Sequence, residues 1–205
     1  MSAAADPARV VDGARDADRG AYASLVRDAA GGDRAAMERL LMRAQEVAYR
    51  FSFLVCGHAA DAEDVMQDAL LKTFQHVQRI SDPSAFRTWL YSTVRNACLM
   101  KRRRRVGEPP GFVPIGADAT DEAPPVDVPD EATPVDEQMM QAAAGTRLRA
   151  ALEAIPPAYR MIVVLRDMEG LSTREVATIT GYSEPNVKQR LRRARLMLRR
   201  HMEGT

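Results

Sequence analysis

The chain has 205 residues, 46% hydrophobic but only 5% aromatic, with a formal net charge of +1. That is enough apolar material for one large or two small cores, and no run approaches the ~20 apolar residues of a membrane helix. The near-neutral total conceals three blocks: 17 basic and 13 acidic side chains in residues 1–106, nine acidic and no basic in 107–146, and 12 basic and six acidic in 147–205. Two basic blocks therefore flank an acidic spacer. Ala and Arg dominate and β-branched runs are scarce, so the expected class is all-α.

Residues 1–21 are small and polar, with no apolar segment of the signal-peptide kind, and are expected to be a flexible terminus of a cytoplasmic protein. A first helix is expected from Tyr22 to Ala30, ending at Gly31-Gly32. Asp33 then caps a helix over 34–55, with Met37, Leu40, Leu41, Ala44, Val47, Ala48 and Phe51 along one side. Cys56-Gly57-His58 breaks it. Asp61 is expected to cap a third helix over 62–79, with Val65, Ala69, Leu70, Phe74 and Val77 as its buried stripe. Asp64, Gln67 and Asp68 share the opposite, polar side at i, i+3 and i+4, an acidic strip suited to a protein partner. Acid at a helix start also serves simple dipole compensation.

A fourth helix over 84–104 carries Phe86, Trp89, Leu90, Val94 and Cys98 inward and ends in Lys101-Arg102-Arg103-Arg104-Arg105. Five consecutive cations exceed what a helix C-terminus needs and suit a nucleic-acid backbone. Trp89 is assigned to the core, whereas Phe86 and Tyr91 are candidates for stacking on an unpaired base. Residues 107–145 carry seven of the twelve prolines and no cation, which predicts an extended, self-repelling linker between domains 22–106 and 146–205. The second domain opens with a helix over 146–154. Pro156-Pro157 starts the next, Ala158–Glu169, which buries Met161, Ile162, Val164 and Leu165 and stops at Gly170.

Residues 171–195 spell a helix-turn-helix. Ser172 and Glu175 form a capping box, and Gly181 stands where the turn needs φ > 0. Ser183 caps the second helix and Pro185 falls in its first turn. Val187, Leu191, Ala194 and Leu198 face inward, while Lys188, Gln189, Arg190, Arg192, Arg193 and Arg195 face outward. The bland alternative is a helical hairpin with a solvated basic face. No phosphate-cradling loop, metal-ligand set or nucleophile motif is present, so neither an enzyme nor a cofactor or metal is expected. Cys56 and Cys98 are expected as reduced thiols in structural roles, with redox sensing as the alternative.

The stretch Asp61-Ala-Glu-Asp-Val-Met-Gln-Asp-Ala-Leu-Leu-Lys-Thr-Phe, followed by Phe86-Arg-Thr-Trp-Leu-Tyr-Ser-Thr-Val-Arg-Asn96 and the basic run, resembles region 2 of bacterial sigma factors. Leu152–Leu198, with Leu165-Arg-Asp-Met-Glu-Gly-Leu-Ser and Asn186-Val-Lys-Gln-Arg-Leu-Arg-Arg-Ala-Arg, resembles region 4. With no domain like region 3 between them, the layout is similar to the extracytoplasmic-function (ECF) group. The resemblance implies two small helical domains and an RNA polymerase sigma factor. Asp64, Gln67 and Asp68 would dock on the clamp of the largest core-polymerase subunit. Phe86, Tyr91, Arg95, Asn96, Lys101, Arg102, Arg103 and Arg104 would serve the −10 element and its opening. Ser183, Glu184, Asn186, Lys188, Gln189, Arg190 and Arg193 would serve the −35 element. An anti-sigma factor is the further partner implied.

Two places depart from the family pattern: Met100 stands where Asp is frequent, and Pro185-Asn186 where Gly-Thr is frequent. Both lie in promoter-facing segments, so a relative's promoter sequence does not carry over. Two rival readings are a sigma-like decoy that only sequesters an anti-sigma factor, and a self-sufficient repressor. The basic run and the charged last helix argue against the first. The lack of a dimerisation seam argues against the second.

Overall fold

A computed structural model of the chain describes residues 20–56, 58–106 and 139–203. Among these residues every regular element is helical. The terminus 1–19 and the expected linker lie outside the described residues, apart from its last seven positions, which are helical.

The first helix, α1, spans residues 20–30 and buries Tyr22, Val26 and Ala29. The chain reverses at Gly32, whose φ of 94° suits glycine. The Asp33 carboxylate then accepts from the Ala36 amide at 3.0 Å, capping α2 (Arg34–Cys56). Along α2 the residues Ala36, Leu40, Ala44, Ala48, Phe51 and Val55 form the buried stripe. It packs against α3 (Ala59–His76), and buried small side chains on both helices, Ala36, Ala44 and Ala48 on α2 and Ala62 and Ala69 on α3, allow close approach. Ser52 is buried between them; its hydroxyl donates to the carbonyls of Ala48 (2.6 Å) and Ala62 (3.2 Å). Helix α4 (Phe86–Val106) closes the bundle with Phe86, Leu90, Tyr91, Val94 and Cys98. It follows a short 3₁₀ turn that Asp82 caps by accepting from the Ser84 amide at 2.9 Å.

The second group comprises α5 (Met139–Ala154), α6 (Pro157–Val163), α7 (Thr173–Thr180) and α8 (Glu184–Glu203). Its core gathers Leu152, Ile155, Ile162, Leu165, Leu171, Val176, Ile179 and Val187. Arg160 ties the α5–α6 corner by donating to the carbonyls of Glu153 (2.8 Å) and Ile155 (3.3 Å). The buried side chains of both groups form one continuous apolar cluster.

Several sequence expectations are corrected. Helix α3 begins at Ala59 with His58 at the N-cap position, so Asp61 sits inside the first turn and does not cap it. Phe74, expected in the buried stripe, is 60% exposed, because the face of α3 turned to the core is centred on Ala62, Val65, Ala69 and Thr73, with Met66 and Leu70 at its edge. The helix after Pro157 is α-helical only to Val163 and continues as a π turn over Val164–Met168. Cys56 and Cys98 are joined in a disulfide, with Cα atoms 5.8 Å apart, which overturns the expectation of two free thiols. The end of α2 meets the middle of α4 only through the helix packing, so a separation of 42 residues carries no local sign of the pairing.

Candidate nucleic-acid and protein interfaces

Asp64, Gln67 and Asp68 all lie exposed on α3, opposite Ala62, Val65 and Ala69. Leu71 and Phe74, at 56% and 60% exposure, continue the same side toward the C-terminus. The strip therefore pairs acid and amide with an apolar extension that sequence reasoning missed. Lys101 reaches across from α4 to form an ion pair with Asp64. Asp64 is exposed and Lys101 only half-buried, so solvent screens the pair and it contributes little to folding.

On α4 the expected stacking pair is not at the surface. Phe86 is fully buried, with its ring centroid 5.8 Å from those of both Tyr22 and Trp89. Tyr91 is fully buried, edge-on to Phe51 at 5.2 Å. These rings serve the core, in correction of their assignment to unpaired bases. Both project from the side of α4 that also carries Leu90 and Val94, and that side is covered by neighbouring helices. Trp89 is half-buried against the same core, as expected. Asn96 is exposed and accepts at Oδ1 from Arg95 Nη1 at 3.0 Å. Arg95 Nη2 donates to the Thr180 carbonyl of α7 at 3.1 Å. Lys101 is half-buried, and the side chains of Arg102, Arg103 and Arg104 lie outside the described residues.

The contact through Arg95 belongs to a wider interface between the two helical groups. Its centre is Glu169, whose side chain is 3% exposed. Arg50 grips the carboxylate bidentately, Nε donating to Oε1 at 2.8 Å and Nη2 to Oε2 at 2.7 Å. The Tyr91 hydroxyl donates to Oε2 at 2.6 Å, and Arg87 Nη2 donates to the Glu169 carbonyl at 3.1 Å. The bond to Glu169 holds the Arg50 guanidinium well above its ordinary range, against the effect of burial. Burial, reinforced by the Glu169 charge and hydrogen bond, pushes the Tyr91 phenol strongly upward. In sequence Glu169 marks only the residue before a helix-ending glycine, with no sign of its partners more than 70 residues away. A second link runs from Arg149 of α5, whose guanidinium carbon lies 4.1 Å from the Phe53 ring centroid on α2.

The helix-turn-helix forms as its capping chemistry dictates. Ser172 accepts from the Glu175 amide at 3.2 Å, and the Glu175 carboxylate accepts from the Ser172 amide at 2.7 Å. Gly181 turns the chain at φ 77°, and its amide closes α7 on the Ala177 carbonyl at 2.8 Å. On α8, Val187, Ala194 and Leu198 enter the core and Leu191 is half-buried. Ser183, Glu184, Lys188, Gln189 and Arg192 are exposed, and Asn186 and Arg193 are half-buried. Arg190 is not on the outward face expected for it. It is 6% exposed, with Nε donating to Asn186 Oδ1 at 2.6 Å and its guanidinium carbon 4.5 Å from the Tyr182 ring centroid. Arg195 is held by Asp167 at 3.0 and 2.8 Å, a pairing the sequence did not suggest.

Residues 37–107 match Sigma-70 region 2 and residues 146–198 match Sigma-70, region 4, together more than half of the chain. Over 178 residues the chain is 32% identical to the ECF RNA polymerase sigma factor SigM of Mycobacterium tuberculosis (strain H37Rv), covering 87% of this chain and 83% of that protein. The chain belongs to the ECF RNA polymerase sigma factors. It is also 33% identical over 179 residues to the ECF sigma factor SigE of Mycolicibacterium smegmatis, covering 84% of this chain but 65% of SigE. This sigma factor shares its fold with the sigma factor RpoE in complex with the anti-sigma factor NepR from Bartonella quintana, at a TM-score of 0.57 and 22% identity over 81% of this chain and 96% of that one. Among its described residues no helix is long and apolar enough to cross a membrane.

Proposed function

We propose that this sigma factor binds core RNA polymerase, recognises −10 and −35 promoter elements and promotes DNA opening, acting without catalytic chemistry of its own and in the cytoplasm. The observation that carries the reading is the occurrence of both sigma regions, in order, in one chain that ends in a charged helix-turn-helix. Residues 22–106 and 146–205 act as the two promoter-contacting domains, with 107–145 as the tether between them.

The clamp-binding surface is Asp64, Gln67 and Asp68, extended by Leu71 and Phe74. Exposed apolar side chains beside acid and amide groups supply the anchors a protein interface needs. The −10 contacts are Arg95, Asn96 and the run Lys101 to Arg104, whose cations neutralise phosphates. Phe86 and Tyr91 support α4 from within. The −35 contacts come from α8 and the residue that precedes it, where Ser183, Glu184, Asn186, Lys188, Gln189 and Arg193 surround the groove-facing side. Arg95 bonded to Thr180, and α4 lying against α7, describe a closed form that must separate before Arg95 reaches DNA. An anti-sigma factor that wraps both regions is the expected regulator.

Run-off transcription with purified core polymerase tests this. Start sites at one promoter class, lost in the Asp64→Ala, Gln67→Ala, Asp68→Ala triple variant, are the expected result. A folded chain that never associates with core polymerase would refute it.

A further inference from the structure

Arg190 carries one of the positive charges of α8, yet it is buried and its charge is not turned to the groove. Its guanidinium carbon lies 4.5 Å from the Tyr182 ring centroid and 5.5 Å from that of Tyr159. Cation–π contacts on two rings restrict where its N–H groups can point. One of them, Nε–H, donates to Asn186 Oδ1 at 2.6 Å, one helical turn earlier. Arginine has donors only, so the oxygen of the Asn186 carboxamide must be the atom that faces it. The Asn186 amino group is then the other arm of the amide, with both N–H bonds left for a ligand.

We infer that Arg190 is a positioning residue which fixes the Asn186 carboxamide as a hydrogen-bond donor for one base pair of the −35 element. The inference rests on α8 being the −35 reader. An unrestrained Asn reads adenine bidentately, accepting from N6 and donating to N7. With Oδ1 turned to Arg190, the accepting half of that pairing is weakened. Acceptor edges are favoured instead: guanine with O6 and N7 first, then thymine with O4. Cytosine, which offers a donor at N4, is disfavoured.

The test uses the full chain with core polymerase on promoters randomised across the −35 element, with transcription scored per base at each position. Asn186→Ala locates the base pair that Asn186 reads. Arg190→Gln keeps an N–H donor at the position of Nε, whereas Arg190→Met keeps the stem and removes the donor. Wild type should prefer guanine at the Asn186 position by about five-fold or more over adenine, the yield of one good base contact. Arg190→Gln should keep that preference, and Arg190→Met should shift it toward adenine. A ratio between two bases within one preparation is independent of the folded fraction, so a less stable variant still gives a reading. If Arg190→Met lowers transcription evenly and leaves base preference intact, Arg190 is a structural or phosphate-binding group and the inference fails. It also fails if Asn186→Ala alters no position while wild type retains a −35 preference, a result that leaves the proposed function standing. Loss of all −35 preference in wild type would instead overturn the reading of α8 itself.

Discussion

Tyr91 and Glu169 meet at the seam between the two helical groups, the phenol hydroxyl donating to the carboxylate at 2.6 Å although 78 residues separate them. Arg50 closes the same carboxylate from α2, so one acidic side chain in the turn after α6 gathers partners from two helices of the first group. A buried carboxylate so satisfied adds directionality to a seam that apolar contact alone would leave free to slide.

Removing one partner from this cluster should cost more than the contact itself contributes, because the remaining polar groups stay buried. Glu169→Ala is expected to lower unfolding free energy by about 2–4 kcal/mol, a range set below that of fully buried pairs because Arg50 is half-exposed. Tyr91→Phe should cost about 1–2 kcal/mol. Urea titration followed by Trp89 fluorescence measures both. Small-angle scattering of Glu169→Ala should report a larger radius of gyration as the groups part, and an unchanged radius would remove Glu169 from the seam.

The Tyr91 phenol has a folded pKa raised above its unfolded value of about 10. A raised folded pKa means the folded state holds the proton longer. Its contribution is therefore complete below about pH 10 and is lost as pH rises beyond it. Thermal stability of wild type should fall from pH 10 upward more steeply than that of Tyr91→Phe. Ultraviolet titration at alkaline pH should show one tyrosine ionising only as the protein unfolds.

The Cys56–Cys98 disulfide closes α2 onto α4 across 42 residues. Cross-linking a loop of that length restricts the unfolded chain by about 4 kcal/mol in the chain-entropy account. Oxidised protein should yield no free thiol to alkylation under denaturing conditions. Reduction, or Cys98→Ser, should lower the melting temperature. Two titratable thiols in protein prepared without reductant would contradict the pairing.

The helix-turn-helix should respond to its turn chemistry. Gly181→Ala places a Cβ on a residue at φ 77°, at a cost of about 1–2 kcal/mol. Ser172→Ala removes the capping box, at about 1 kcal/mol. Calorimetry on the full chain measures both, and a neutral Gly181→Ala would mean the turn has another conformation.

Most of the helices were legible because each signal is local. Asp33, the Ser172–Glu175 box, Gly170 and Gly181 announce helix ends through hydrogen bonds and dihedrals that span four residues or fewer. The 3.6-residue period likewise placed Leu40, Phe51, Val94 and Val187 in the core. Family membership was legible for the same reason, since it rests on motif residues and their order. Period alone did not say which side of a helix meets solvent when apolar residues lie on more than one side. Phe74 was assigned inward and lies outward; Phe86, which its period placed inward but which was also offered with Tyr91 to an unpaired base, lies with Tyr91 in the core. Arg190 counted as a free cation until Tyr182 and Asn186 were placed beside it.

By itself, then, the sequence determined the helical class, the two sigma regions and the helix-turn-helix, because these depend on near-neighbour chemistry. Only the tertiary structure decided the disulfide, the Glu169 seam and the engagement of Arg95 and Arg190 within the fold. Each depends on groups brought together from distant parts of the chain, where burial and a fixed partner override the charge and polarity that a linear reading assigns.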